Sequence, residues 1–384
     1  MKRIDELIQR FCPEGVVYVK FVDYAFVQYG CPFDASHFTD DSTYIPLIRI
    51  RDVLSGKAGT YYTGEYSKDY IVKKGDILVG MDGNFNLGIW NDVDGLLNQR
   101  VCKLYTKDNT KMLNGFIKHY MGPVFRKIEE STAGGSVKHL SAKAINNIEI
   151  PLPPLPVQEE IVRILDNFNT LQTELQAELQ ARQEQYQYYQ DLLLNKSQYS
   201  KHITIGELCV VKKGNTPIQK AKEGKYPLVA TTMERRSCDT FQFNTNAVCI
   251  PLVSSRGHGV ASLNHIYYQE GMFALGNILC AVIPNDECVV KAKYLYYYLE
   301  YAKDYTLVPL MKGGANVSLH CSDIEKVKIP LPSLSEQERI ISILDSFDNL
   351  VNDQSKGLPA EIEARRQQHE YYRDQLLTFK RKEA

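Results

Sequence analysis

The side chains that could carry covalent chemistry are all present in this 384-residue chain, but not at the spacings such chemistry needs. Gly59 to Gly64 has the glycine spacing of a phosphate-cradling loop. Glu65 and Tyr66 follow it, where a lysine and a hydroxyl would have to stand. Gly257-His258-Gly259-Val260-Ala261-Ser262 offers only G-x-G-x-x-S and leads into no clear helix, so it does not read as a cofactor loop. No N/D-P-P-Y/F tetrapeptide occurs to hold a flipped base, and Pro153-Pro154 follows a leucine. H-E-x-x-H and G-x-S-x-G are both missing, and Glu223-Gly224-Lys225 alone reads as a loop charge pair rather than the end of a nuclease set. The 8 histidines are dispersed without ligand spacing. The 9 cysteines contain no C-x-x-C, and read as small buried hydrophobes in a reducing cytoplasm. These absences favour recognition over catalysis.

The elements that would position recognising side chains come from an internal repeat. Residues 150–171, IPLPPLPVQEEIVRILDNFNTL, align without a gap on 329–350, IPLPSLSEQERIISILDSFDNL, with 13 of 22 positions identical. The match resumes at 181–194 against 364–377, ARQEQYQYYQDLLL and ARRQQHEYYRDQLL, with 8 of 14 identical and four extra residues in the second copy. In each copy a strand ends in I-P-L-P, where proline removes a ladder donor. An apolar-periodic helix follows. Ile161, Ile164, Phe168, Leu171 and Leu175 step by three and four, which is a coiled-coil seam. About 38 residues at 1.5 Å each give a rod of roughly 55–60 Å. The second helix carries Ile340, Ile343, Phe347 and Leu350, and its insertion at Lys356-Gly357-Leu358-Pro359 should interrupt it, with Gly357 as a further weak point. Such a helix cannot bury its stripe alone. Each rod is therefore expected to pack antiparallel on the other about a pseudo-twofold axis.

The segments between the helices read as mixed α/β with short strands and Gly/Asn/Asp turns. Expected strands include 44–50, 69–83 and LNQRVCKLY (97–105) in the first, and 225–233, 246–259 and 276–283 in the second. Each has an apolar strand running into a glycine loop, Met81-Asp82-Gly83-Asn84 or Ser254 to Gly259. An acidic-glycine turn then follows, Asp94-Gly95 or Glu270-Gly271, and later an aromatic helix, 111–121 or 293–301. The fold class is thus α+β: two mixed α/β globular domains joined by two long antiparallel coiled-coil helices in a pseudo-twofold repeat. The boundaries are 1–150, 151–200 for the first spacer helix, 201–329, and 330–384 for the second. The opening residues read as a short amphipathic helix stopped by Pro13 and Gly15, not a secretory signal, and no apolar run of membrane length occurs. The net charge of −1 hides a division: the two globular segments carry +1 and +4, the two helical segments −4 and −2. Cationic globular parts suit DNA contact, and the small excess implies weak, salt-sensitive binding by the chain alone.

The doubled I-P-L-P-x-L-x-x-Q-E-x-I-x-x-I-L-D-x-F, with its trailing helix, resembles the specificity (S) subunits of type I restriction–modification systems. So does the opening I-D-E-L-I-x-R-F-C-P-E-G-V. The resemblance implies a non-catalytic, cytoplasmic, DNA-binding subunit whose two target-recognition domains each read one half of a bipartite, asymmetric double-stranded site. It also implies two modification (methyltransferase) subunits and ATP-using restriction subunits as partners. S-adenosylmethionine, Mg²⁺ and ATP would belong to those partners, and none to this chain. A coiled-coil adaptor without base readout is the alternative. Guanine pairs bidentately with Arg, and adenine with Asn or Gln. On that basis the expected readers are Arg49, Arg51, Asn84 and Asn86 in the first domain. In the second they are Lys213, Asn215, Arg235, Arg236, Arg256 and His258. Ile161, Leu165, Phe168, Ile340, Leu344 and Phe347 are expected at the helix-pair or partner interface.

Overall fold

The computed structural model describes residues 2–131, 138–195, 201–232, 236–256, 259–353 and 355–383. Two compact units result, one of residues 1–174 with 363–384, the other of residues 175–362.

In the first unit the strand Glu149–Pro151, from the first I-P-L-P, pairs antiparallel with Tyr18–Lys20. An antiparallel sheet follows in the order Ala25–Tyr29, Val101–Thr106, Ile77–Gly80, Leu87–Ile89. A second sheet of five short strands places Ile45–Ile48 parallel to Gly95–Leu97. The helix Asn114–Ser131 lays Ile117, Met121 and Phe125 on the first sheet, against Val79, Cys102 and Leu104. These side chains are at most 1% exposed and form the main core of the unit.

The second unit repeats that plan. His202–Thr204 pairs with Lys328–Pro330 from the second I-P-L-P. The main sheet runs Cys209–Lys213, Leu279–Pro284, Ala247–Pro251, Tyr267–Gln269. A second sheet sets Tyr226–Val229 parallel to Met272–Leu275. Helix Ala292–Thr306 buries Tyr294, Leu295 and Tyr298 against the main sheet. Individual hydrogen bonds correspond as well. Gly30 N–H donates to Val101 O at 3.1 Å, and Gly214 N–H to Leu279 O at 2.9 Å. Leu140 N–H donates to Met81 O at 2.7 Å, and Leu319 N–H to Leu252 O at 2.8 Å.

The first long helix is continuous over 40 residues, Leu155–Leu194, or about 60 Å at the helical rise. Its early part belongs to the first unit and its later part to the second. Each part packs antiparallel on a partner helix within its own unit. In the first, Leu165 shares a core with Leu376, and Phe168 one turn on stacks over His369 and Tyr372, at 5.7 and 5.6 Å. In the second, Ile340 and Leu344 share a core with Leu193 and Leu194, while Phe347 stacks on Tyr186 at 5.9 Å and meets Tyr189 at a tilt, 5.2 Å away. Phe168 and Phe347 occupy the same place in the repeat, as do the rings they meet.

The second repeat helix is broken into Leu334–Val351 and Leu358–Leu376, as the insertion implies. The roles of its residues differ from the sequence expectation. Pro359 sits in the first turn of the second segment, where a missing N–H costs nothing. Gly357 lies outside either helix. A Cβ there would stand 2.6 to 2.8 Å from the carbonyl oxygens of Asn349, Leu350 and Asp353, so the chain turns this tightly only on glycine. Asp353 Oδ1 secures the same turn by accepting Ser355 N–H at 2.7 Å and Lys356 N–H at 3.2 Å. Among the described residues no helix is long and apolar enough to cross a membrane.

Candidate nucleic-acid interface

Four loops of the first unit enclose a cleft of ≈ 670 Å³. Arg49 and Arg51 enter it from the short turn after Ile45–Ile48, and Asn84 and Asn86 from the loop after Ile77–Gly80. All four expected readers of this domain thus line one hollow. The second loop is held from within. Phe85 is 1% exposed, its N–H donates to Glu129 Oε2 at 3.0 Å, and Gly80 N–H closes on Asn86 O at 2.9 Å. Gly83, at φ 72°, makes the turn.

The two arginines differ in what they are free to do. Arg51 Nη2 donates to Thr60 Oγ1 at 2.7 Å, and its Nε lies 3.7 Å from Asp52 Oδ1. Burial raises the Asp52 pKa, and hydrogen bonding to the Arg49 backbone and the charge of Arg51 oppose that rise. Arg51 is therefore partly committed to its own loop.

Asn98, Gln99 and Arg100 complete the lining, and sequence reasoning missed them. The pattern of LNQRVCKLY predicts one strand, but the structure divides the run between Gly95–Leu97 and Val101–Thr106. Val101 N–H bonds back to Asn98 O at 2.9 Å and Gln99 N–H to Cys31 O at 2.9 Å, leaving three polar residues on a tight corner. A Cβ on Gly30 would collide with Asn98 O, so that glycine permits the close pass. Three consecutive polar residues inside an apolar run were the available signal.

In the second unit the expected readers are divided between neighbouring places. Arg236 lines a hollow of ≈ 540 Å³ with Lys225, Tyr226 and Tyr268, and its Nη1 donates to Ile218 O at 2.9 Å. Ser254 and Ser255, from the glycine loop, line an adjoining hollow of ≈ 670 Å³ with Asn264, His265 and Tyr267. Arg256 follows them directly and is exposed, its N–H donating to Ser254 Oγ at 3.2 Å. Lys213 and Asn215 line neither hollow. The Gln242 side chain ties their backbones together, donating to Lys213 O and accepting Asn215 N–H, both at 3.0 Å. Arg235 and His258 lie outside the described residues. Among the described residues no group of three or more His, Cys, Asp or Glu is placed to hold a metal.

The sequence profile described as "Type I restriction modification DNA specificity domain" matches residues 18–185 and, a second time, residues 199–364. The chain belongs to the type I restriction–modification DNA specificity family. A putative type I restriction enzyme specificity subunit of Haemophilus influenzae is 31% identical over 83% of this chain and 88% of its own. The EcoR124I/EcoR124II specificity subunit of Escherichia coli is 31% identical over 84% and 85%. The crystal structure of the type I restriction–modification S subunit from M. genitalium shares the fold, with a TM-score of 0.63, 16% identity, and 94% of this chain and 96% of that chain covered.

The repeated residues of this specificity-family chain are joints between helix and domain. Gln158 is fully buried. Its Oε1 accepts Leu113 N–H at 3.0 Å, and its Nε2 donates to Lys111 O at 2.9 Å and Pro153 O at 2.7 Å. Gln337 does the same with Lys291 N–H, Val289 O and Pro332 O, at 2.9, 3.0 and 3.1 Å. The aspartates of I-L-D-x-F follow. Asp166 accepts from Lys118 Nζ at 2.5 Å and faces His119 Nε2 at 2.8 Å. Asp345 accepts from Lys293 Nζ at 2.8 Å and from Tyr297 OH at 2.5 Å. Burial pushes the Asp166 carboxyl up, but Lys118 and His119 outweigh it and hold it below the usual range. Burial, then Lys118, takes His119 down to about 4.

Ile161 and Leu165 are fully buried against Ile4, Phe116 and Leu376, and Ile340 and Leu344 in the cluster that holds the second domain's core together with Leu193 and Leu194. Phe168 and Phe347 add ring contacts to the facing helix.

Proposed function

We propose that this chain selects the DNA sequence on which a type I restriction–modification assembly acts, reading a bipartite, asymmetric target with one half taken by each domain. The observation that carries this reading is the first-domain cleft, where guanidinium and carboxamide side chains from separate loops converge. Those two groups form bidentate pairs with guanine and adenine edges. The same scaffold with different loop residues in the second domain supports a second, different half-site. The target-recognition domains are assigned to 1–150 and 201–329, with spacer helices at 151–200 and 330–384.

The chain itself is proposed to be non-catalytic and cytoplasmic. Methyl transfer from S-adenosylmethionine falls to two modification subunits, and cleavage with ATP and Mg²⁺ to restriction subunits. Ile161, Leu165 and Phe168 in the first unit, and Ile340, Leu344 and Phe347 in the second, hold the long helix to its partner helix within that unit.

Replacing residues 1–150 by the corresponding domain of a relative tests the reading. Sequencing of DNA methylated by the reconstituted complex should show one half of the target changed and the other kept. An unchanged target, or methylation by the purified chain alone, would overturn it, and an unchanged target is what an adaptor without base readout would give.

A further inference from the structure

At the rim of the first-domain cleft, Arg100 is 60% exposed, while its partner Asp82 is 8% exposed. Arg100 Nη1 donates to Asp82 Oδ2, and the other carboxylate oxygen faces His139 Nδ1 at 2.5 Å. The backbone beneath is fixed on all sides. Met81 N–H donates to Arg100 O at 2.9 Å, Leu140 N–H to Met81 O at 2.7 Å, and Gly83 N–H to Lys138 O at 2.9 Å. The guanidinium is thus anchored through one nitrogen. Among the described residues no second acceptor takes its other N–H groups. The arginine end of this pair is solvent-exposed, and solvent screening there limits what the pair adds to stability. A carboxylate that pins one edge of a planar fork does something else, because it removes the rotamer freedom that binding would otherwise have to remove.

The second domain shows that the fold does not require this arrangement. Leu252 N–H donates to Ile278 O at 2.8 Å, Leu319 N–H to Leu252 O at 2.8 Å and Ser254 N–H to Val317 O at 3.0 Å. These bonds correspond one for one to those of the first domain. They place Ile278 where Arg100 stands, Val253 where Asp82 stands, and Ser318 where His139 stands. The bridges Asp82–His139 and Val253–Ser318 correspond too. A cluster needed for folding would recur, whereas one that reads a base need not.

We propose that Arg100, oriented by Asp82, reads a guanine in the half-site taken by the first domain. Its free edge presents two parallel N–H donors, which match O6 and N7 of guanine. Asp82 is a positioning residue, and Asn98 and Gln99 beside it offer carboxamides to the adjoining pair. Arg51, with Nη2 on Thr60 and Nε beside Asp52, is partly committed to its own loop and is the less free of the two. The inference rests on the target-reading function proposed above.

The test uses the complex reconstituted with its modification subunits, after its target has been read by methylation sequencing. Each first-half guanine is replaced in turn by 7-deazaguanine, which lacks the N7 acceptor, and binding is measured. The wild-type complex should lose affinity about 10-fold or more at one such guanine. Arg100→Ala should bind more weakly and become indifferent to that replacement. Arg100→Lys should recover part of the discrimination. Asp82→Asn, which keeps the arginine, should weaken discrimination at the same guanine and leave second-half positions unchanged. A first half-site without guanine, or an Arg100→Ala complex that keeps every 7-deazaguanine penalty, overturns the inference while the target-reading function stands. A uniform loss across all positions would show a structural role and overturn it equally. A wild-type complex with no bipartite target would instead sink the function beneath it, and this inference with it.

Discussion

The Gln158 carboxamide oxygen accepts the Leu113 backbone N–H at 3.0 Å from inside a fully buried pocket, joining the long helix to the segment that starts the domain helix. Replacing Gln158 by Leu keeps the volume but strands one donor and two acceptors. Chemical denaturation should show a loss of about 2–3 kcal/mol, and Gln337→Leu a similar one. Equal stability of either variant would mean that these bonds are replaced by water.

His119 makes stability fall on mild acidification. Its folded pKa of about 4 lies below the ordinary 6.5, so the unfolded chain takes up the proton first. Stability is unaffected by this group above about pH 6.5 and is lost as the pH falls from there toward about 4. At the low end the loss is about 3 kcal/mol. His119→Gln should flatten the slope in that window. Asp166 has its pKa lowered and acts only below the usual carboxylate range, while His369, also lowered, leaves a residual slope of the same sign.

Gly357→Ala should lower the thermal midpoint, by the equivalent of about 1–3 kcal/mol, because the new methyl group meets three carbonyl oxygens. Pro359→Ala, in a first helical turn, should change it by less than about 1 kcal/mol. The reverse order in differential scanning calorimetry would contradict the role of Gly357 in the turn.

Within the cleft, Arg51→Ala is expected to act on stability, through its bond to Thr60, more than on target choice. Asn98→Ala and Gln99→Ala should leave the melting temperature within about 1 °C and weaken target binding roughly 5-fold or more. Matched fluorescence melts and binding titrations separate the two behaviours.

Cys321 is held down to about 7 by its hydrogen bond with Cys280 and then by the charge of Lys213, whereas burial takes Cys102 up to about 12. Iodoacetamide at neutral pH should therefore label Cys321 and the exposed Cys288 in the native protein and spare Cys102, as mass spectrometry of the digested protein would show.

The helices were legible because their periodicity, their I-P-L-P entrances and the shared Gln and Asp residues are written twice, and comparison of the copies cancels much of the local ambiguity. The glycine loop and the acidic-glycine turn were legible for the same reason. Asn98, Gln99 and Arg100 were not. Flanked by Leu97 and Val101, they lie in an apolar run that favours a strand, and what bends them into a corner is a pairing with Cys31, far back in the sequence. The surroundings of the expected second-domain readers were harder still, because Gln242 and Ile218 hold Lys213, Asn215 and Arg236 through contacts that no local pattern announces. The break before Pro359 was foreseen, but the crowding around Gly357 is a property of the folded turn alone.

Val16 N–H donates to Lys380 O, and Lys382 N–H to Val16 O, both at 2.9 Å, with Tyr18 OH on Phe379 O at 3.1 Å. In the first unit, late and early parts of the polypeptide are therefore sewn together by hydrogen bonds. In the second, the long helix Leu155–Leu194 and the strand His202–Thr204 are neighbours in the sequence. A gene rearranged to join residues 383 and 2 by a short linker, and opened between the long helix and His202, would encode every pairing described above in a different order.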